Sequence, residues 1–258
     1  MRPGLRAILA SNQYCAAAKT LFAAMNNVPT VQRAIIIDAT IRSLQSAGIW
    51  SQLDVLYILA AADSQAALLN WVNPGVFTAI PVNSPTFVVD RGYTGDGATS
   101  RLRTQYTPSV NGVQFTQNNA SMFVWSNTNV AQAAQDMGNI SATINDRLAT
   151  RAVGDLVTSR LNSATTGAAS NASSLGLIGT SRASSTIQNF WRNGVNISGN
   201  LSATTTGLCG GELWICGANS GIYSTKQLAA AVIGGSLLNL QPSLYGSILS
   251  YIKNVGVA

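Results

Sequence analysis

The chain has 258 residues, of which 9 % are charged, 47 % are hydrophobic and none is histidine, so it can bury a sizeable core while carrying little ionic surface. The missing histidine excludes imidazole-based catalysis and removes the commonest zinc ligand. Fifteen Lys and Arg against nine Asp and Glu give a net charge of +6, yet they are spread singly, without the basic run or aromatic-interleaved basic helix of a nucleic-acid binder, so no nucleic acid partner is expected.

At the N-terminus, Arg2 and Arg6 resemble the positive start of a signal peptide, but Ser11, Asn12, Gln13 and Lys19 interrupt the apolar stretch that should follow. An unexported chain is expected. No segment approaches the roughly 20 uninterrupted apolar residues of a membrane span. From Thr30 to Gly48, the apolar positions Val31, Ala34, Ile37, Ile41 and Leu44 recur at three and four, which predicts a helix stopped by Gly48. Ser51 and Asp54 read as a capping box opening a second helix with Leu53, Leu56, Tyr57 and Ala60 as its buried stripe. Asp63 is placed to cap a third, short one. Pro74 and Gly75 end this helical N-terminal region, residues 1–74, which is expected to serve attachment.

After Gly75 the period changes. Short runs rich in Val, Thr, Phe and Tyr separated by turn residues, such as Val76 to Val82, Thr86 to Val89, Val113 to Thr116, Ser121 to Trp125 and Leu213 to Cys216, are an all-β signature. The plainest hairpin joins Ile187–Trp191 to Val195–Ile197 through Arg192-Asn193-Gly194, because Asn-Gly supplies the positive φ angles of a tight type I′ turn. Residues 127–185, dominated by Ala, Ser, Thr, Asn and Gly, read as long loops with short strands. A final helix is predicted over Asn239 to Asn254, burying Leu244, Ile248, Leu249 and Ile252, with Gly256 beyond its end. The fold expected is mainly β: a two-sheet antiparallel jelly-roll sandwich over residues 75–258, preceded by the helical region and closed by the C-terminal helix.

Residues with chemical potential have plainer readings. Cys15, Cys209 and Cys216 are an odd number in a chain too long to need staples, so reduced thiols are expected, although Cys209 and Cys216 flank Gly210-Gly211 and are spaced to meet across a hairpin. Glycoside hydrolysis by paired carboxylates needs two acids together, whereas the single glutamate, Glu212, has no acidic neighbour and reads as an acceptor of backbone hydrogen bonds at a strand entrance. The Asp90–Gly97 segment, DRGYTGDG, reads as turn chemistry more than as a Ca²⁺ loop, lacking the ligand spacing and closing Glu of an EF-hand. Arg101 and Arg103 flank Leu102, so a strand would present both guanidiniums on one sheet face. Lys19, Lys226 and Lys253 sit in no nucleophile-activating motif, and Trp125, Trp191 and Trp214 lie in apolar strand runs that suit a core. No catalytic residue, metal site or cofactor is expected.

The strings GIWSQLDVLYILAAADSQAALLNW, Gly48 to Trp71, and SPTFVVDRGYTGDGATSRLRTQYTPS, Ser84 to Ser109, resemble a group of tailed-bacteriophage virion proteins. In that group a helical leader with a G-x-W-x-x-L-D element precedes a concanavalin A-like, or laminin-G-like, jelly roll that begins with an R-G-Y-x-G-D-G segment. FWRNGVNIS, Phe190 to Ser198, resembles a hairpin of such lectin-like sandwiches, and the C-terminal stretch from Ile222 resembles their last strand and helix. The E-x-D-x-x-E strand of the superfamily's hydrolases is missing. The resemblance implies a non-enzymatic virion structural protein displayed on the particle surface, as a capsid decoration or a collar or tail appendage. It implies virion location, capsid, neck or tail subunits as partners, and a homo-oligomeric state. The alternative is a glycan-binding host-attachment module of a tail fibre or spike.

Overall fold

A computed structural model describes residues 13–140, 144–219 and 221–256. Arg2, Arg6, Ser11 and Asn12 lie outside the described residues. The first elements of the described residues are two helices, α1 (Ala16–Ala24) and α2 (Val31–Ser46). Thr30 caps α2 by accepting a hydrogen bond from the Arg33 N–H, and Ala34, Ile37, Ile41 and Leu44 form its buried stripe as the spacing predicts. Val31, at the head of that stripe, is exposed. Gly48 adopts φ +72° just past the end.

The second expected helix is a strand. Trp50–Gln52 makes a single 3₁₀ turn, and Leu53–Ile58 is β1, paired antiparallel with β18 (Gln227–Gly234). The apparent helical stripe arose because the run LDVLYI is buried on both faces, which erases the period-two alternation of a half-exposed strand. Ser51 does not cap a helix; its hydroxyl donates to the Gly48 carbonyl. Asp63 does cap α3 (Ser64–Ala67), accepting from the Ala66 N–H at 2.9 Å, and Pro108–Asn111 forms the equally short α4.

Two sheets form the sandwich. The first runs β13 (Val195–Asn196), β12 (Ile187–Arg192), β11 (Gly176–Arg182), β6 (Ala120–Ser126), β18, β4 (Gly92–Thr94), β3 (Thr86–Val88), with β1 also on β18. The second runs β10 (Gly167–Ser170), β9 (Leu156–Arg160), β8 (Arg147–Ala152), β7 (Met137–Gly138), β15 (Trp214–Ile215), β5 (Arg101–Arg103), β2 (Ile80–Val82). Pairing along both paths is antiparallel; off them, β14 (Leu201–Ser202) pairs with β12, and β16 (Gly217–Ala218) pairs with β17 (Ile222–Tyr223) and, in parallel, with β7.

The first sheet is the middle layer. Every residue of β6 is buried, and so is all of β18 except its first position, because the second sheet covers one face and helices cover the other. The C-terminal helix, α5 (Gln241–Asn254), stacks Tyr245 on Trp125 of β6 with centroids 5.8 Å apart. Its Tyr251 donates to the Ala60 carbonyl and packs edge-on against Trp71. The Ser43 and Ser247 hydroxyls join α2 to α5 at 2.8 Å. One hydrophobic core therefore runs continuously from Tyr14 through both sheets to Ile252.

The Asn-Gly hairpin forms as the sequence predicts, with Asn193 at φ +50° and Gly194 at φ +79°. The Asn193 amide oxygen also accepts from the Leu177 N–H, which ties the turn to β11. Two strand expectations change. Val76–Val82 shortens to β2 because Phe77 takes a positive φ of 58°, and Val113–Thr116 is a loop apart from a bridge between Thr116 and Asn119. Residues 127–185 hold more strand than their composition suggests: β7 to β11 arise there, including the seven-residue β11, whose GLIGTSR sequence is buried at six positions. Among the described residues no helix is long and apolar enough to cross a membrane.

Candidate functional site

The outer face of the second sheet carries a cross-strand row of side chains. Arg160 of β9 lies opposite Arg147 of β8, Arg147 opposite Gly138, Gly138 opposite Trp214, and Trp214 opposite Arg103. Their sequence neighbours Ser159, Leu148, Met137, Ile215 and Leu102 point inward and are buried, so strand alternation fixes the row on the outside. Arg101 and Arg103 share this face, as predicted. The Arg101 guanidinium lies 4.2 Å from the centre of the Trp214 ring, a cation–π contact, and Arg103 pairs with Glu212 at 2.8 Å.

The other end of the row is electrostatically open. Arg147 Nη2 and Arg160 Nε both donate to the Thr166 hydroxyl oxygen, at 3.2 and 2.9 Å. Among the described residues neither arginine makes an ion pair. Burial, and then the positive charge of Arg160, push the Arg147 pKa below its ordinary value. Two facing guanidiniums thus share one neutral acceptor on a surface where both remain partly accessible.

All nine carboxylates of the sequence are engaged in structural hydrogen bonds. Asp54, in the G-x-W-x-x-L-D element, accepts from the Tyr106 hydroxyl and from the N–H groups of Val113, Gln114 and Phe115. Asp90 pairs with Arg33 of α2 at 2.7 Å. Asp96 accepts from the N–H groups of Ala98, Thr99 and Ser100, which hold its carboxyl well below the usual range. The Asp90–Gly97 segment is therefore turn chemistry, as its sequence suggests. Asp38 takes the Arg42 guanidinium and the Cys15 N–H, Asp63 caps α3, and Asp155 pairs with Arg151. Glu212 accepts from the Gln105 N–H as well as from Arg103.

Asp136 and Asp146 sit inside the sandwich. Asp136 meets Lys226 at 3.0 Å with both side chains fully buried, and also accepts from Thr150 N–H, the Thr150 hydroxyl and the Ser224 hydroxyl. Asp146 accepts from the Asn162 N–H, and its burial raises its pKa to about 7 against the opposing pull of that hydrogen bond and of Arg182. Among the described residues no group of three or more Cys, Asp or Glu side chains is arranged to hold a metal ion. Cys209 and Cys216 are both buried; the Cys209 thiol approaches Asn139 and the Cys216 thiol the Tyr93 carbonyl, so they do not meet across a hairpin. Trp125 and Trp191 are core residues, as expected, whereas Trp214 stands half-buried on the outer face.

No protein-family model and no curated protein matches the sequence. Among solved structures the chain resembles a Trypanosoma rangeli sialidase in complex with sialic acid, with 10 % identity and a TM-score of 0.55, covering 82 % of this chain and 38 % of the sialidase. It also resembles the binding domain of botulinum neurotoxin serotype D, with 10 % identity and a TM-score of 0.51, covering 78 % of this chain and 52 % of that one. The likeness is one of fold. The chain spans well under two thirds of either structure.

The sequence pointed to Arg101 and Arg103 but not to Arg147 and Arg160. The only signal for the latter pair lies in RLATRAVGDLVTSR, Arg147 to Arg160, where Gly154-Asp155 at a hairpin turn brings the two ends opposite each other. Its Ala and Ser positions hide the alternation that would have announced two strands.

Proposed function

We propose that this chain is a non-enzymatic structural protein of a tailed-bacteriophage virion, repeated as a homo-oligomer on the particle surface and bound to capsid, neck or tail subunits. The observation that carries the non-enzymatic part is the employment of the acids: eight of the nine carboxylates are spent on a cap, a loop clasp or an ion pair, and the ninth, Asp146, is fully buried inside the sandwich. A hydrolase would need a carboxyl held ready near a second one, with a pKa set for proton transfer. The phage motifs support the structural part through their own roles. Asp54 anchors the 113–115 loop, and Asp90 ties the sandwich to α2, so these residues serve architecture. A surface of neutral polar residues also suits repeated subunit contacts, which deplete charge at their centres.

Mass spectrometry of density-banded phage particles from the source organism tests this reading. Peptides of the chain at a stoichiometry of many copies per particle are expected; their absence from intact particles contradicts it.

A second reading is favoured by the open arginine row on the second sheet: the sandwich acts as a glycan-binding module in host attachment. Screening the full chain on an array of neutral and acidic glycans tests it, and the absence of any glycan retained above background would reject it.

A further inference from the structure

We infer that Arg147, Arg160 and Thr166 form an anion subsite for one carboxylate or sulfate group of an acidic saccharide, an inference that rests on the glycan-binding reading. Three observations converge. The two arginines are directly opposite in strand register, so the sheet sets the roots of their side chains side by side, and both guanidiniums reach the same Thr166 hydroxyl. Both donate to one hydroxyl oxygen, an acceptor without charge, which leaves two positive groups without a counter-ion among the described residues. All nine Asp and Glu side chains are engaged elsewhere, so none of them is spare for this position.

Charge-assisted hydrogen bonds to a planar or tetrahedral oxyanion suit this arrangement, because guanidinium donors match two oxygens of one group and the Thr166 hydroxyl can turn to donate to the same anion. Partial burial strengthens the attraction relative to open water, and a bound anion would relieve the repulsion that Arg160 exerts on Arg147. A saccharide fits better than a nucleic acid. Polyphosphate binding draws on a track of many cations, whereas on this face Arg103 is neutralised by Glu212 and Arg101 is stacked over the Trp214 ring, and Arg151 is neutralised by Asp155. Along the row, beyond Gly138, the half-buried Trp214 offers an aromatic edge to the sugar ring that carries the acid group.

The test titrates the full chain with trigalacturonic acid, a sulfated chondroitin tetrasaccharide, galactotriose, inorganic sulfate and a twelve-residue oligodeoxynucleotide, with binding read calorimetrically at two salt concentrations. At least one of the acidic saccharides should bind, more weakly at higher salt, and the R147Q/R160Q variant should lose tenfold or more of that affinity. R160Q alone, removing one half-exposed side chain, should lose several-fold and serves as the second variant if the double one does not fold. Equal affinity in wild type and R160Q overturns the subsite, as does binding of inorganic sulfate as tight as that of the saccharides, or binding of the oligonucleotide alone. Galactotriose binding that is indifferent to both variants overturns the subsite while leaving the glycan-binding reading standing; no saccharide binding of any kind overturns both.

Discussion

Lys226 and Asp136 form a fully buried ion pair, Nζ to Oδ2 3.0 Å, that joins the residue preceding β18 in the first sheet to the residue preceding β7 in the second. The pair is tolerated in the interior because Thr150 and Ser224 supply three more donors to the same carboxylate. It therefore acts as a polar rivet between two layers otherwise held by apolar packing. Replacing only one partner strands the other as an uncompensated charge. D136A or K226A is expected to cost about 3–5 kcal/mol in denaturant unfolding, while a D136L/K226M double variant is expected to cost less than either. A double variant less stable than both single variants would contradict this account.

Asp146 sets a pH dependence of the opposite sign to that of the exposed acids. In the folded protein it keeps its proton up to about pH 7, mainly because burial disfavours its charge, whereas an unfolded aspartate releases its proton near about pH 4. The folded state thus binds more protons between those values. Stability from this group is fully present below about pH 4 and is lost as pH rises through about 7. Melting temperatures measured from pH 4.5 to 8 should fall along that window in the wild type and fall much less in D146N, which does not titrate. Parallel profiles for the two proteins would show that Asp146 is already ionised at pH 4.5. Arg182, buried nearby, is the charge expected to moderate the effect.

Asp54 organises a loop with no regular structure of its own. Its carboxylate gathers three consecutive N–H groups, Val113 to Phe115, and the Tyr106 hydroxyl, which lets Phe115 sit fully buried. D54A should cost about 2–4 kcal/mol, since each buried donor left without a partner costs about 1–3 kcal/mol and part of the loop can rehydrate. Hydrogen exchange should quicken at residues 113–115 ahead of global unfolding, and D54N should recover part of the protection. Unchanged exchange at those amides in D54A would refute the clasp.

Gly92, in the R-G-Y-x-G-D-G segment, is fixed by close backbone approach. It holds φ +104°, and a Cβ there would lie 2.0 Å from the Leu228 carbonyl oxygen, where β4 meets β18. G92A is expected to destabilise by about 3 kcal/mol through overpacking and backbone strain. A melting temperature within a degree of wild type would mean that the strand pair yields more easily than its geometry indicates.

Much of this fold was legible where local signals were strong. The α2 stripe with its Thr30 cap, the Asp63 cap, the Asn193-Gly194 hairpin and the α5 face each depend on residues within a few positions of one another. What stayed hidden depends on covering layers. Leu53–Ile58 looked helical because a strand buried on both faces has no alternation to display, and its partner, β18, lies some 170 residues on. The Ala- and Ser-rich strands β8 to β11 carried too little β-branched or aromatic character to be read from composition. For the same reason the Arg147–Arg160 pair was invisible: two arginines thirteen positions apart become neighbours only through hairpin register. Glu212 accepts a backbone N–H, as its place at a strand entrance predicts, but its pairing with Arg103 is a long-range contact that no spacing announces.

The measurement that tests the central claim most directly is immunogold electron microscopy of purified phage particles from the source organism, using an antibody raised against residues 75–256 of the folded chain. The account predicts regular label on intact particles, over the head for a capsid decoration or at the neck or tail for an appendage. Particles that stay unlabelled both intact and after mild dissociation would contradict a virion role.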